Sequence, residues 1–166
     1  ALRILRPAFD VSGFDIPFRY CIDGIPLRGT LYPSRVCLFR PSRGRYRQFG
    51  HTQWLQIEGG VVSMADAMLH DDRKSPQNFV ARQRRYARLE AEYLWSESWA
   101  ALSWRKRIRR LLIVAPWAAP LFALFYKGVA LDGIPGFKYA WERAQAESFI
   151  AGALLRQMLS NLLPKS

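Results

Sequence analysis

SPQNFVARQRRYARLEAEYLWSESW, residues 75–99, is the stretch that divides this chain in two. Ser75-Pro76 starts a helix with a mechanism: the hydroxyl can cap free backbone amides, and the proline stands where its missing N–H costs nothing. Phe79, Tyr86 and Tyr93 recur every seven residues, joined by Val80, Ala87 and Leu94, so the spacing predicts a long helix to about Trp99 with one apolar face. Gln83 and Glu90 fall on that same face. A polar group there must find a partner or lose about 1–3 kcal/mol, so these two are either satisfied core residues or site residues. The opposite face, with Arg82, Arg85, Arg88 and Glu92, reads as a solvated flank.

Before this helix, Pro, Gly and Asp punctuate short apolar runs. Asp23-Gly24 separates extended segments at 16–22 and 25–31 and supplies the positive φ values of a two-residue hairpin. A further strand is predicted over 35–40, a turn over 41–44, and strands over 54–57 and 61–64 on either side of Glu58-Gly59-Gly60.

After the helix, Arg105, Lys106, Arg107, Arg109 and Arg110 form a basic cluster, followed by an apolar stretch over 111–126 that Pro116 and Pro120 interrupt. Sixteen helical residues rise only about 24 Å, short of a hydrocarbon core of roughly 30 Å. A polybasic cluster beside a short apolar segment carrying Trp117, Phe122 and Phe125 suits a monotopic protein lying in the membrane interface. The alternative is a buried hairpin of two short helices with a solvated basic flank. A turn-rich linker, KGVALDGIPG (127–136), leads to a last helix over 137–159, predicted to present Trp141, Ala144, Ser148, Ala151, Leu155 and Met158 on its apolar face.

The whole chain has 166 residues, half of them hydrophobic, and a formal charge of +12. That excludes a disordered polyelectrolyte and makes polyanions the expected partners: nucleic acid, phosphate-bearing substrates or an anionic membrane face. No helix-turn-helix, RNP or zinc-finger pattern supports nucleic acid. Cys21 and Cys37 sit in apolar, strand-like runs and read as small buried hydrophobes in a reducing compartment. The N-terminus lacks the apolar region of a signal peptide, and a start at Ala1 rather than Met reads as a processed or truncated one. No Gly-rich phosphate loop or Ser-His-Asp set is present. The chemically dense stretch is LHDDRKS (69–75), where an imidazole, two carboxylates and two cations precede a helix start, a composition fit for a metal-diphosphate or for an ordinary charged turn.

The order LYPSRVCLFRPSRGRY (31–46), GHTQ (50–53), LHDDRKS (69–75), RQRRYARLEAEYL (82–94) and FYKGVALDGIPGFKYAWERAQAE (125–147) resembles the C-terminal half of bacterial family 2 glycosyltransferases. The nearest branch is the membrane-associated enzymes of lipopolysaccharide core and other surface-glycan assembly. The resemblance implies an α+β architecture. Residues 1–75 would be the β-rich acceptor side of a nucleotide-sugar transferase fold, 76–104 a long amphipathic helix, and 105–166 a polybasic, membrane-interfacial helical region. No Asp-x-Asp triplet and no βαβ unit occur in these residues. The donor half, and with it most ligands of a divalent Mg or Mn ion, would then be supplied elsewhere.

Carried over by position, the resemblance makes His70 a late metal ligand and sets Asp71, Asp72, Arg73 and Lys74 beside the diphosphate. Gln83, Arg85 and Tyr86 loosely match a glutamine-arginine-aromatic motif near acceptor and diphosphate, and His51 belongs to the same phosphate- and acceptor-binding group. Asp71 or Asp72 would serve as the base in an inverting transfer, where a carboxylate takes the acceptor hydroxyl's proton while cations neutralise the leaving diphosphate. The implied partners are a nucleotide-sugar donor, a lipid-linked glycan acceptor, an anionic membrane surface and other membrane protein subunits. The implied place is the cytoplasmic face of the bacterial inner membrane. A non-catalytic membrane-associated subunit that keeps the scaffold for protein contacts is the alternative.

Overall fold

Twelve residues of nearly continuous strand, interrupted at Pro17, form the axis of the N-terminal half. They are β1 (Val11–Ile16) and β2 (Phe18–Ile22) of a computed structural model that describes residues 10–49, 52–71, 73 and 76–162. On one side β1 pairs antiparallel with β4 (Arg35–Phe39), and β2 with the two-residue β3 (Ile25–Pro26). On the other side β1 pairs in parallel with β7 (Gly60–Ser63), and β2 with β8 (Met68–Asp71). Between these last two, Met64 donates to the Asp15 carbonyl and Met68 to that of Pro17, so the parallel pairing carries across the interruption. A separate antiparallel ribbon joins β5 (Gly44–Phe49) to β6 (Thr52–Ile57).

The Asp23-Gly24 hairpin forms as expected, with φ values of 52° and 83° at its two central residues, although its second strand stops at Pro26. Gly24→Ala, by putting a Cβ on a left-handed residue, should lower stability by about 1–2 kcal/mol in urea unfolding. The expected strands around Glu58-Gly59-Gly60 exist but do not pair with each other: β6 returns to β5, and β7 passes to β1. Gly59 makes that departure, at φ 108°, where an added Cβ would lie 2.4 Å from Ser12 Oγ. The stretch at 69–71 is strand rather than charged loop, and β1, β5 and β8 were hidden by short runs that carry Gly, Arg or Asp among their apolar residues.

The helical half contains α1 (Pro76–Ser96), α2 (Trp104–Arg110), α3 (Ala115–Leu121) continued by a π-helical turn (Phe122–Tyr126), a 3-10 turn (Val129–Asp132), and α4 (Ile134–Leu162). Pro116 opens α3, while Pro120 lies inside it. A proline there removes one rung of the helical ladder, and the π turn follows directly. Among the described residues, no helix is long and apolar enough to cross a membrane.

Two cores share α4. In one, Ala87, Ala91 and Leu94 of α1 pack with Leu102 against Ile150, Ala153 and Leu154. In the other, Tyr20, Ile22 and Leu27 of the hairpin region pack against Ala123, Val129 and Tyr139. The compositional change near residue 75 is therefore not a boundary between cores. The buried Tyr139 hydroxyl accepts from the Leu31 amide at 2.8 Å and meets Thr30 Oγ1 at 3.3 Å, which fixes the chain leaving the hairpin to α4.

The expected apolar face of the last helix is wrong. Trp141, Ser148 and Leu155 are exposed, and the inward stripe runs through Gly136, Ala140, Glu147, Ile150 and Leu154. Apolar residues occur all round α4, and a glutamate in the buried stripe concealed it.

Candidate functional site

His70 stands on β8 in register with Tyr20 of β2. Its ring stacks on Tyr32 at 5.1 Å and 25° between planes, with Tyr20 at 5.2 Å and Phe18 at 6.0 Å. The Arg35 guanidinium lies 5.6 Å from the centre of the Tyr32 ring. Parallel pairing of β2 with β8 and the return of the chain at residues 30–32 create this cluster, which no local sequence pattern announces. Among the described residues no three His, Cys, Asp or Glu side chains converge as a metal site. The rings of Phe18, Tyr20 and Tyr32 are the described aromatic neighbours of His70.

Asp71 extends β8 and binds the Arg73 guanidinium, whose pKa is raised by that hydrogen bond and by the carboxylate's charge. His51, Asp72, Lys74 and the capping Ser75 lie outside the described residues.

Arg73 leads into a cleft of about 290 Å³ between the Asp23-Gly24 turn, the first turns of α1 and the first half of α4. Arg82 of α1 lines it; Gln83, Arg85 and Tyr86 do not. Gln83 is half-buried, while Arg85 and Tyr86 are exposed. From α4 come Lys138, Trp141, Glu142 and Gln145. Lys138 Nζ donates to both Asp23 carboxylate oxygens, at 3.0 and 2.7 Å, and this hydrogen bond raises its pKa. Sequence reading missed Asp23, Lys138 and Trp141, because the first served as turn chemistry and the last as core.

Glu90 resolves as a satisfied core residue. Arg109 binds Glu147 in a fork, Nε to Oε2 at 2.9 Å and Nη2 to Oε1 at 2.6 Å, and gives Nη1 to Glu90 Oε1 at 3.2 Å. Burial opposes the charge on Arg109, but the hydrogen bond and charge of Glu147, then of Glu90, overcome it and raise the pKa. The Arg109 guanidinium is thereby committed to two carboxylates.

Its neighbours are also engaged. Arg107 donates to the carbonyls of Trp99 and Ala100, and Arg110 to that of Glu97, so both satisfy backbone acceptors just beyond the end of α1. Lys106 sits 4.0 Å from the centre of the Tyr93 ring, and Arg105 is exposed beside Trp104. The basic cluster thus closes the corner between α1 and α2 as well as contributing charge.

The apolar stretch at 111–126 is not a buried hairpin. Ala115 and Ala123 face inward, whereas Ile113, Trp117, Phe125 and Tyr126 are each more than 70% exposed (78%, 74%, 75% and 75%). Phe122 is also exposed and stacks on Tyr126 at 4.5 Å. Leu131 of the 3-10 turn and Ile134, Phe137 and Trp141 at the start of α4 are exposed as well. The two cysteines are free thiols, Cys21 buried and Cys37 half-buried, and burial pushes the Cys37 thiol up.

No protein-family model matches this chain, and neither the curated proteins nor the solved structures contain a match.

Proposed function

We propose that this chain is the acceptor-side, membrane-resting portion of a glycosyltransferase that moves a sugar from a nucleotide-sugar to a lipid-linked or lipopolysaccharide glycan. The observation that carries the reading is the large apolar and aromatic surface left open along α3, the π turn and the start of α4, next to a chain segment rich in Arg and Lys. Water-facing monomers rarely expose so many large apolar side chains together, and such surfaces mark contact with a membrane or a partner. Tryptophan, tyrosine and phenylalanine beside cations suit the headgroup level of an anionic bilayer, where aromatic rings meet the acyl boundary and cations meet phosphate. The cleft at Lys138 and Trp141 adjoins that surface through α4 and supplies cations and hydrogen-bonding groups for a glycan. The donor nucleotide, and any divalent ion that assists its departure, would be held outside these residues.

Flotation with vesicles tests the membrane part. The chain should float with phosphatidylglycerol-containing vesicles, less with phosphatidylcholine alone, and less again as salt is raised. Trp117→Ser with Phe125→Ser should weaken binding at least about tenfold, since each large side chain buried is worth about 1.5–3 kcal/mol. Failure to float with anionic vesicles, or equal flotation by the double variant, would remove the basis of the reading. The transfer itself is tested by adding nucleotide-sugar and acceptor lipid to the chain together with its donor-binding half.

A further inference from the structure

We propose that the cleft between the Asp23-Gly24 turn, α1 and α4 is a subsite for a single sugar residue bearing an anionic substituent, a phosphate or a carboxylate. The inference rests on the glycan reading above and names the ligand class of one place on the molecule.

Lys138, Trp141 and Gln145 fall three and four residues apart on α4, so they line one stripe of the helix. Trp141 is 65% exposed and lines the cleft. A flat indole so placed gives the C–H face of a sugar ring an apolar platform, while its neighbours bond the hydroxyl edge. Gln145 and Glu142 provide that edge from the same helix, with both donor and acceptor atoms at the amide.

The anionic substituent goes where the α4 stripe meets the Asp23-Gly24 turn, at Lys138. Lys138 is held by Asp23, yet their side chains are 46% and 72% exposed, so water already screens the pair and an exchange of partners is not demanding. A phosphate or carboxylate of the ligand would replace Asp23 on Lys138. The Arg73 guanidinium, 72% exposed and tethered by Asp71, stands at the same turn as a second cation. Asp23, once released, becomes an acceptor for a ligand hydroxyl.

The cleft's size matches one sugar ring. Clefts that hold drug-sized molecules span roughly 300–1,000 Å³, and this one, at about 290 Å³, lies at the small end and has room for one substituted ring. The exposed Ile134 and Phe137 flank Trp141 within two turns of α4, which sets the opening beside the surface assigned to the bilayer. A glycan anchored in that bilayer would reach the cleft with its own sugar first.

Saturation-transfer NMR on the full chain in nonionic detergent, with no lipid, tests the subsite. Glucose 6-phosphate should receive saturation at its ring protons. Glucose should bind at least about tenfold more weakly, and inorganic phosphate, read by its competition with glucose 6-phosphate, should be weaker by at least about the same factor. Trp141→Ala should abolish ring saturation and Trp141→Phe should restore part of it. Lys138→Ala should remove the preference for the phosphorylated sugar, and Trp117→Ala should change nothing. Trp141 and Lys138 are both exposed, so their replacement leaves the cores intact, as circular dichroism would verify. Inorganic phosphate binding as tightly as glucose 6-phosphate, or undiminished ring saturation in Trp141→Ala, would overturn the proposal. Vesicle flotation is read separately, so a failed membrane assignment and a failed subsite give different results.

Discussion

Arg109→Ala should destabilise the protein by about 3–5 kcal/mol, the effect of removing one partner from a buried ion pair. The reason lies in what remains. Glu90 and Glu147 have only 4% and 11% of their side chains exposed, and Arg109, itself 29% exposed, serves both. Truncating it leaves two carboxylates beside each other without that guanidinium, at the junction of α1, α2 and α4. Arg109→Lys should recover only part of the loss, because an ammonium cannot reproduce the two-pronged contact with Glu147. A third variant separates charge from packing. Replacing Arg109 by Met together with Glu90 and Glu147 by Leu removes every desolvated charge of the set, and such replacements are often neutral or stabilising. Urea unfolding of the three variants checks the ordering: Arg109→Ala lowest, Arg109→Lys intermediate, the apolar triple variant near the parent. An Arg109→Ala chain as stable as the parent would mean that the network carries no net stabilisation.

This network also shows what the sequence could disclose. The seven-residue recurrence of Phe79, Tyr86 and Tyr93 located α1, and Glu90 within that face signalled a group needing a partner. The partner stood 19 residues further on inside a basic cluster, where charge density read as membrane contact. Only tertiary packing distinguishes the arginine that binds two carboxylates from neighbours that meet backbone carbonyls or an aromatic ring. The same limit explains α4: Trp141 and Leu155 look more like core than Glu147 does, yet they are outside and Glu147 is inside. Local signals served best where chemistry dictates conformation, as at Asp23-Gly24 and at the start of α1 at Pro76, whereas α1 ends at Ser96 rather than near Trp99.

The β-rich half was legible in kind and less so in connection. A parallel pair such as β1 with β7 depends on residues about fifty apart, and no turn marks it. The candidate site inherits this property. His70, Tyr32 and Tyr20 meet because β8 lies beside β2, while the cleft needs the hairpin, α1 and α4 at once. Of the described residues assigned from sequence to phosphate, acceptor or metal binding, Arg73 lines it.

Gly136→Ala should be among the most damaging small substitutions in the chain. A Cβ built on Gly136 lies 1.7 Å from the Val129 carbonyl oxygen and 2.7 Å from its carbon, so the obstacle is backbone and no rotamer change relieves it. Either the first turn of α4 or the 3-10 turn must move. Val129 is fully buried in the core shared by the hairpin and α4, and Asp132, in the same 3-10 turn, accepts from the Arg28 amide at 2.9 Å. A displaced turn therefore disturbs the second core and the hairpin's attachment together. Overpacking typically costs 1–3 kcal/mol, and a clash with rigid backbone belongs at or above the upper end, about 3 kcal/mol. Gly152→Ala supplies the opposite case on the same helix. Nothing lies within 4 Å of its added Cβ, so the change should stabilise by up to about 1 kcal/mol through helix propensity alone. Thermal and urea unfolding of the two variants should move in opposite directions. If Gly136→Ala were as stable as the parent, the close approach of α4 to the Val129 carbonyl, and the placement of Lys138 and Trp141 that follows from it, would be incorrect.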